Sequence, residues 1–257
     1  MDPINKPSID ELDREETARL TLDFFHRLVI HHALWFAEVR HQFGPDKALE
    51  VLSEVLPRTM GIQSKRVAKA LGISHDGTAP HPLARLPEES LKALRDAVAV
   101  NWLANDGVWF QAVEFSRDMN DAKRCNDTCW SRFSPFEAWS VKRFLGLPAE
   151  AGLEGLKQAL GFRLYACINA QSFHEESDGS FVFRMDECRV QSARRRKGLD
   201  DYPCKSGGLV EFTSFAEAVD PRIRTECIGC PPDPPPDGSV CSWRFSLVTA
   251  EETPPHP

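Results

Sequence analysis

The sequence predicts an α+β protein: a helical N-terminal region of two repeated hairpins, then an antiparallel four-stranded sheet with helices on one face. Three observations lead to this fold class. Apolar residues recur at helical spacing as far as Gly146, the pattern changes after Pro148, and alternating apolar residues with hairpin signals follow. At 257 residues the chain can bury a sizeable core, as one large domain or two smaller ones.

Residues 1–148 form the predicted helical region, and they contain an internal repeat with an offset of 74 residues. The matched positions are Trp35-Phe36 with Trp109-Phe110, Val39 with Val113, Ala48 with Ala122, Val67 with Val141, and Leu71-Gly72 with Leu145-Gly146. Two packed copies of a helical hairpin, 20–73 and 94–147, explain this spacing. Chance similarity is the alternative. Trp35 and Trp109 are expected at equivalent buried places.

Residues 149–248 are predicted to form a cysteine-rich α+β domain. Apolar residues alternate over 162–170, which is typical of a half-buried strand, and Asp178-Gly179 favours a hairpin turn. The predicted elements are a helix at 151–161, strands at 162–170 and 181–185, helices at 187–197 and 205–219, and strands at 222–227 and 239–248. This order indicates an antiparallel sheet with helices on one face. Residues 249–257 are expected to be a disordered tail.

Charge and hydropathy exclude several classes of protein. The net charge is -7, which disfavours a nucleic-acid binder because such proteins need an excess of Lys and Arg. The polar, acidic start lacks the pattern of a secretory signal, and no apolar run is long enough to cross a membrane. We therefore expect a cytoplasmic protein that binds neither nucleic acid nor membrane. The sequence leaves the oligomeric state open.

Five of the eight cysteines lie in the last third of the chain: Cys188, Cys204, Cys227, Cys230 and Cys241. Clustered cysteines in a reducing compartment are more often metal ligands or reactive thiols than disulfides. Four thiolates that meet at one point would suit zinc or an iron–sulfur cluster, and the sequence does not decide between them. The alternative is that these cysteines are small buried apolar residues, which is the preferred interpretation of Cys125, Cys129 and Cys167.

Two residues near these cysteines are candidates for catalysis. Cys204 precedes a predicted helix, where backbone N–H groups and the helix dipole favour the nucleophilic thiolate. Arg189, next to Cys188, could pair with a carboxylate of a small-molecule ligand through its planar guanidinium.

Several segments also carry a resemblance to known families. They are His32-Ala33-Leu34-Trp35-Phe36, Cys188-Arg189, Pro203-Cys204-Lys205, Asp220-Pro221-Arg222-Ile223, Cys227, Cys230-Pro231-Pro232-Asp233 and Cys241-Ser242-Trp243-Arg244-Phe245. Together they resemble an uncharacterised bacterial cysteine-rich family. More distantly, the cysteines and closing strand look like the L-2-amino-thiazoline-4-carboxylic acid hydrolase family, and that strand is similar to the 4-vinyl reductase ligand-binding domain. The hydrolase resemblance implies ring opening by water, with Cys188, Cys204 and Cys241 in the site.

The expected function is a cysteine-site metalloprotein that hydrolyses a cyclic amidine or a thiazoline-carboxylate-like substrate. Its metal ligands would come from Cys188, Cys204, Cys227, Cys230 and Cys241, and its catalytic residues would be Cys204 and Arg189. The alternative is a non-catalytic ligand-binding or scaffold module with a structural zinc ion or iron–sulfur cluster. A closed set of four thiolates is usually structural, whereas catalysis needs an open coordination position.

Overall fold

The structure, a computed structural model, describes residues 6–73, 82–233 and 235–248. The chain divides into two compact units, residues 1–91 and 92–257. The sequence predicted the division at residue 148 instead. The difference arises because the second helical hairpin packs against the elements of the α+β part. The predicted disordered tail lies outside the described residues.

The first unit contains a helical hairpin of α1 (Arg14–Phe43) and α2 (Pro45–Ala70). Asp13 begins α1 with a capping box, in which its carboxylate accepts a hydrogen bond from the Glu16 N–H at 2.8 Å. Gly44 joins the helices with a φ of 85°, a backbone conformation that favours glycine. The helix α2 continues through Pro57, which therefore does not split it.

The second hairpin consists of α3 (Glu88–Ser116) and α4 (Met119–Leu145). Moved by 74 residues, the bounds of α1 and α2 fall within one residue of these bounds, as the repeat predicts. Gly72 and Gly146 each follow a second helix in the left-handed region, with φ values of 69° and 68°. The predicted fold class, including the two hairpins, is confirmed.

One expectation about the repeat is wrong. Trp35 and Trp109 are 63% and 65% exposed, so neither is buried as the sequence suggested. Ala48 and Ala122, another matched pair, are each 1% exposed. Ala48 and Ala122 are therefore a matched pair that is buried in both copies, while Trp35 and Trp109 are a matched pair that is exposed in both.

The α+β part follows α4 in the order expected. Its elements are α5 (Gly152–Leu160), β1 (Ala170–Glu175), β2 (Phe181–Glu187), α6 (Arg189–Arg196), α7 (Lys205–Val219), β3 (Ile223–Gly229) and β4 (Cys241–Leu247). The strands form one antiparallel sheet in the order β1-β2-β4-β3. The turn between β1 and β2 contains Gly179 with a φ of 84°, as the Asp178-Gly179 pair predicted.

The first predicted strand is wrong over most of its length. Leu164–Cys167 is a 3-10 helix, and β1 begins only at Ala170. The cause is a contact distant in sequence: Glu137 on α4 accepts hydrogen bonds from the Arg163 side chain at 2.8 Å and from the Leu164 N–H at 3.2 Å. These bonds hold the backbone away from the sheet despite the alternating apolar pattern.

The helix α7 lies at the centre of the core, between α4 and the sheet, and α5 also contacts the sheet. Aromatic side chains fill the core, and its fully buried members include Phe181, Phe183, Phe215, Trp243 and Phe245. The opposite face of the sheet carries ion pairs, such as Arg244 with Glu176 at 2.8 Å, so the helices cover one face only. None of the described helices is long and apolar enough to cross a membrane.

Candidate functional site: a cysteine-lined cavity

A cavity of about 360 Å³ lies in the second unit among α3, α4, α6, α7 and the adjoining ends of β2 and β4. Four of the five cysteines singled out from the sequence line it: Cys188, Cys204, Cys230 and Cys241. Arg189 lines it as well. Cys227 is absent from this lining and lies half-buried on β3, opposite Trp243 in the β-ladder.

The four cysteines meet because each stands where a secondary-structure element begins or ends. Cys188 is the N-cap of α6, and Cys204 is the N-cap of α7. Cys241 begins β4, where it pairs with Met185 of β2. Cys230 follows β3 and forms an isolated β-bridge with Asp233, so the proline-rich loop turns back beside the cavity.

The Cys230 side chain is 1% exposed, and its thiol interacts electrostatically with the thiols of Cys204 and Cys241. The Cys204 sulfur also accepts a hydrogen bond from Gln191 Nε2 at 3.0 Å and donates one to the Tyr202 carbonyl at 3.2 Å. These contacts hold Cys204 at the cavity wall beside Cys230.

No preformed metal site is seen in the part of the chain that the structure describes, because no three His, Cys, Asp or Glu side chains are placed to hold an ion together. The ligands of an ion point at a common centre, and the side chains around Cys230 are not arranged in this way among the described residues.

The protonation of the thiols follows from their environment. Burial raises the pKa of Cys188 to about 12 and also raises the pKa of Cys227. Interactions with the thiols of Cys204 and Cys241 raise the pKa of Cys230, and burial raises it further. These three groups are consequently neutral thiols near pH 7, and only a nearby cation would deprotonate them.

We define the rim of the cavity by its two exposed, charged lining residues, Arg189 and Lys197. The rim therefore carries positive charge. The backbone N–H of Arg189 donates to Asn169 Oδ1 at 2.8 Å, which fixes the start of α6. Arg194 is buried instead, and its guanidinium lies 3.3 Å from both carboxylate oxygens of Glu114. Arg189 and Lys197 are therefore the exposed cations of the cavity lining, whereas the charge of Arg194 is paired inside.

The buried inner end of the cavity contains a carboxyl group that the sequence analysis missed, Glu211 of α7. Arg163, only 2% exposed, stands between Glu211 and Glu137, with its Nη2 2.7 Å from Glu211 Oε1 and its Nε 2.8 Å from Glu137 Oε2. Glu211 is followed by Phe212 and precedes Phe215 by four residues, so its place on the apolar side of α7 was a signal in the sequence.

The two carboxyl groups differ in how well their charges are stabilised. Glu137 accepts two hydrogen bonds, but Glu211 Oε1 has an ion contact with Arg163 that is not aligned as a hydrogen bond. Burial raises the pKa of Glu211 to about 7, although the charge of Arg163 opposes this rise. Glu211 can therefore gain or lose a proton near neutral pH, a property found in acid–base catalysts.

This raised pKa predicts how the stability of the protein depends on pH. The ordinary pKa of the Glu211 carboxyl is 4.5, and the folded value is about 7. The fold thus favours the protonated form of Glu211. The stabilisation that this group contributes to the free energy of unfolding is fully present below pH 4.5 and is lost as the pH rises through 7. Relative to Glu211→Gln, the wild-type protein should lose up to about 3 kcal/mol over this interval.

Urea unfolding at a series of pH values would measure this loss. Glu217→Gln is the matched control, because Glu217 is an exposed carboxylate on the same helix, and its pH dependence should follow the wild-type curve. Parallel curves for Glu211→Gln and the wild type would contradict the prediction.

Aromatic side chains line the rest of the cavity. Trp130 and Tyr165 stack at 5.9 Å, and Tyr202 makes an edge contact with Phe110 at 5.0 Å. Burial is the main cause that raises the pKa of both tyrosines, so they remain neutral phenols. The cavity therefore offers flat apolar walls to a ligand.

These features describe an α+β protein with an aromatic cavity that is also lined by thiol and carboxyl groups. The chain belongs to a family of unknown function, DUF6125, which matches residues 82–247. The match reaches from just before α3 to the last residue of β4, and it includes every residue that lines the cavity. No curated protein and no solved structure matches the chain.

Proposed function

We propose that the chain is a cysteine-site metalloprotein that hydrolyses a small carboxylate-bearing substrate of the cyclic amidine or thiazoline-carboxylate type. The observation that carries this proposal is the meeting of Cys188, Cys204, Cys230 and Cys241 in one cavity with Glu211. Hydrolysis needs an activated oxygen or sulfur nucleophile and a group that moves protons, and this cavity offers candidates for both.

The donor set fits a soft metal. Cys188, Cys204, Cys230 and Cys241 line one cavity, so rotation of their short side chains would direct several sulfurs to one point. A metal ion would have to replace thiol protons when it binds, so the raised thiol pKa values make metal affinity fall as the pH is lowered. A zinc ion would supply Lewis acidity, whereas an iron–sulfur cluster is also compatible with four cysteines. The free thiols are consistent with a reducing compartment, and we propose the cytoplasm.

The remaining groups of the cavity would then position the substrate. The Arg189 guanidinium at the rim would pair with its carboxylate, and the walls formed by Trp130 and Tyr165 would hold a flat ring. Ring opening forms a bond from a water oxygen to the amidine carbon and breaks the ring C–N bond. Glu211 would carry a proton from the water to the leaving nitrogen, and no redox partner is needed.

Metal analysis and the ultraviolet–visible spectrum of protein purified without oxygen test the metal directly. We expect about one zinc per chain in a colourless protein, or a brown protein if the group is an iron–sulfur cluster. Cys230→Ala should abolish metal binding and lower the midpoint of thermal unfolding. Cys125→Ala is the matched control, since Cys125 is an exposed cysteine on α4 and should keep both properties. Wild-type protein without metal would refute this part of the proposal.

The Cys204→Ser variant distinguishes two possible roles of Cys204, that of the nucleophile and that of a metal ligand. If Cys204 is the nucleophile, the variant should keep its metal and its thermal midpoint but lose turnover of a thiazoline carboxylate, because a serine hydroxyl is a far weaker nucleophile at neutral pH. Loss of metal together with stability would instead make Cys204 a ligand.

The second candidate function is a ligand-binding module with a structural metal. It is favoured by the number of thiols at the cavity, because four thiolates would close the coordination sphere and leave no position for water. A metal-loaded protein that binds thiazoline carboxylates without turnover would support this alternative.

A further inference from the structure

We propose that the inner end of the cavity recognises an organic cation, such as an amidinium, through the carboxyl groups of Asp106 and Glu211. This inference deepens the proposed function and rests on it in one respect, namely that the cavity holds a small ligand. The buried end of that ligand would carry a positive charge, and Asp106 and Glu211 would select for this charge.

Acidic side chains outnumber basic ones at the inner end of the cavity. Asp106 of α3 and Glu211 of α7 both line the cavity, and the charges of Asp106 and of Glu137 on α4 raise the pKa of Glu211 further, after burial as the main cause. Arg163 is the cation that contacts this group, and its side chain is already shared by Glu137 and Glu211. The three carboxyl groups therefore have more potential negative charge than the arginine can neutralise.

The two carboxyl groups that line the cavity, Asp106 and Glu211, have incomplete hydrogen bonding. Glu211 is 8% exposed, and its Oε1 has no hydrogen-bond donor. Asp106 accepts a long hydrogen bond of 3.4 Å from the neutral amide of Asn126, while burial raises its pKa. A cationic ligand with N–H groups would supply an aligned donor to Glu211 Oε1, beside the ion contact with Arg163, and a positive charge to Asp106.

Aromatic rings line the cavity together with these carboxyl groups. The Arg163 guanidinium lies 4.6 Å from the ring centre of Phe215 and 5.4 Å from that of Tyr165, so rings already face a delocalised cation here. Trp130 and Tyr202 present further rings to the cavity itself. Aromatic faces attract cations, and the attraction is larger where water is excluded.

The charges at the two ends of the cavity give the ligand a direction. Arg189 and Lys197 place positive charge at the exposed rim, whereas Asp106 and Glu211 place carboxyl groups inside. Lys123 is absent from the lining of the cavity, and its amino group donates to the Pro203 carbonyl at 2.6 Å. A molecule with both charges would therefore enter with its cationic end first.

Binding of benzamidine and of its neutral isostere benzamide tests the inference. Tryptophan fluorescence or calorimetry should show that benzamidine binds the wild-type protein at least tenfold more tightly than benzamide does. Asp106→Asn and Glu211→Gln should each weaken benzamidine binding about tenfold and leave benzamide binding nearly unchanged. Glu217→Gln, the exposed control on α7, should bind both probes as the wild type does.

Two results would overturn the inference. One is equal binding of the two probes, including no binding of either, and the other is wild-type affinity for benzamidine in both cavity variants. Thermal unfolding of each variant checks that the fold is retained. A protein that selects benzamidine but holds no metal and shows no turnover would refute the proposed function while leaving this inference intact.

Discussion

Replacement of Arg163 by methionine should lower the free energy of unfolding of the second unit by about 3–5 kcal/mol at pH 7. Arg163 is 2% exposed and contacts both Glu137 and Glu211 within 2.8 Å. The side chain of methionine fills much of the same space but leaves two buried carboxyl groups without a cation. Removal of one partner from a buried ion pair costs more than replacement of the whole pair, because an unpaired charge stays in the interior.

Urea unfolding at pH 7 and at pH 5 would measure this effect and its origin. The loss should be smaller at pH 5, where the unpaired carboxyl groups can take up protons. Addition of Glu137→Gln and Glu211→Gln to the Arg163→Met variant should recover a large part of the stability. Arg195→Met is the control, because Arg195 forms an exposed pair with Asp201 and should change stability by less than about 1 kcal/mol. A similar loss in both arginine variants would contradict the prediction.

Gly208→Ala should destabilise the second unit by about 1–3 kcal/mol, although alanine normally favours a helix. A Cβ atom at Gly208 would lie 2.6 Å from Cζ2 of Trp243, closer than any ordinary contact, and 3.6 Å from the Cys230 sulfur. Trp243 cannot move aside easily, since it is fully buried and stacks on Phe212 at 4.7 Å. The helix α7 or the tryptophan must therefore shift, and the cysteine cluster would be disturbed with it.

The same substitution at Gly107 provides a matched control with the opposite sign. Gly107 lies inside α3, and a Cβ atom there would meet nothing within 4 Å. Gly107→Ala should therefore stabilise the protein by up to about 1 kcal/mol through helix propensity. Thermal unfolding of the two variants side by side would measure the difference. Equal and favourable effects would show that the core tolerates the extra methyl group at Gly208.

Local patterns in the sequence determined most of the secondary structure. The predicted helix at 205–219 has the observed bounds of α7, and the turn at Asp178-Gly179 joins β1 to β2 as expected. Helical periodicity, glycine stop signals and hairpin turns act over a few residues, so they can be read without the fold. The 74-residue repeat likewise anticipated two hairpins with matching bounds.

The sequence also indicated four of the residues at the cavity for a local reason. Cys188 and Cys204 each precede a helix, and Cys241 lies at the start of a strand whose inward face is apolar. Ends of elements in a small α+β domain often lie near one another, so cysteines at these places had a good chance of meeting. Cys230, joined to β3 by the turn of its loop, completed the group.

Only the tertiary structure decided the electrostatics of the cavity and the start of the sheet. The bond from Arg163 to Glu137 spans 26 residues of sequence, and it both replaces a predicted strand by a 3-10 helix and sets the charge beside Glu211. The pKa of Glu211 depends on burial and on side chains from three other parts of the chain. Such contacts depend on how distant elements pack, and local periodicity carries no record of them.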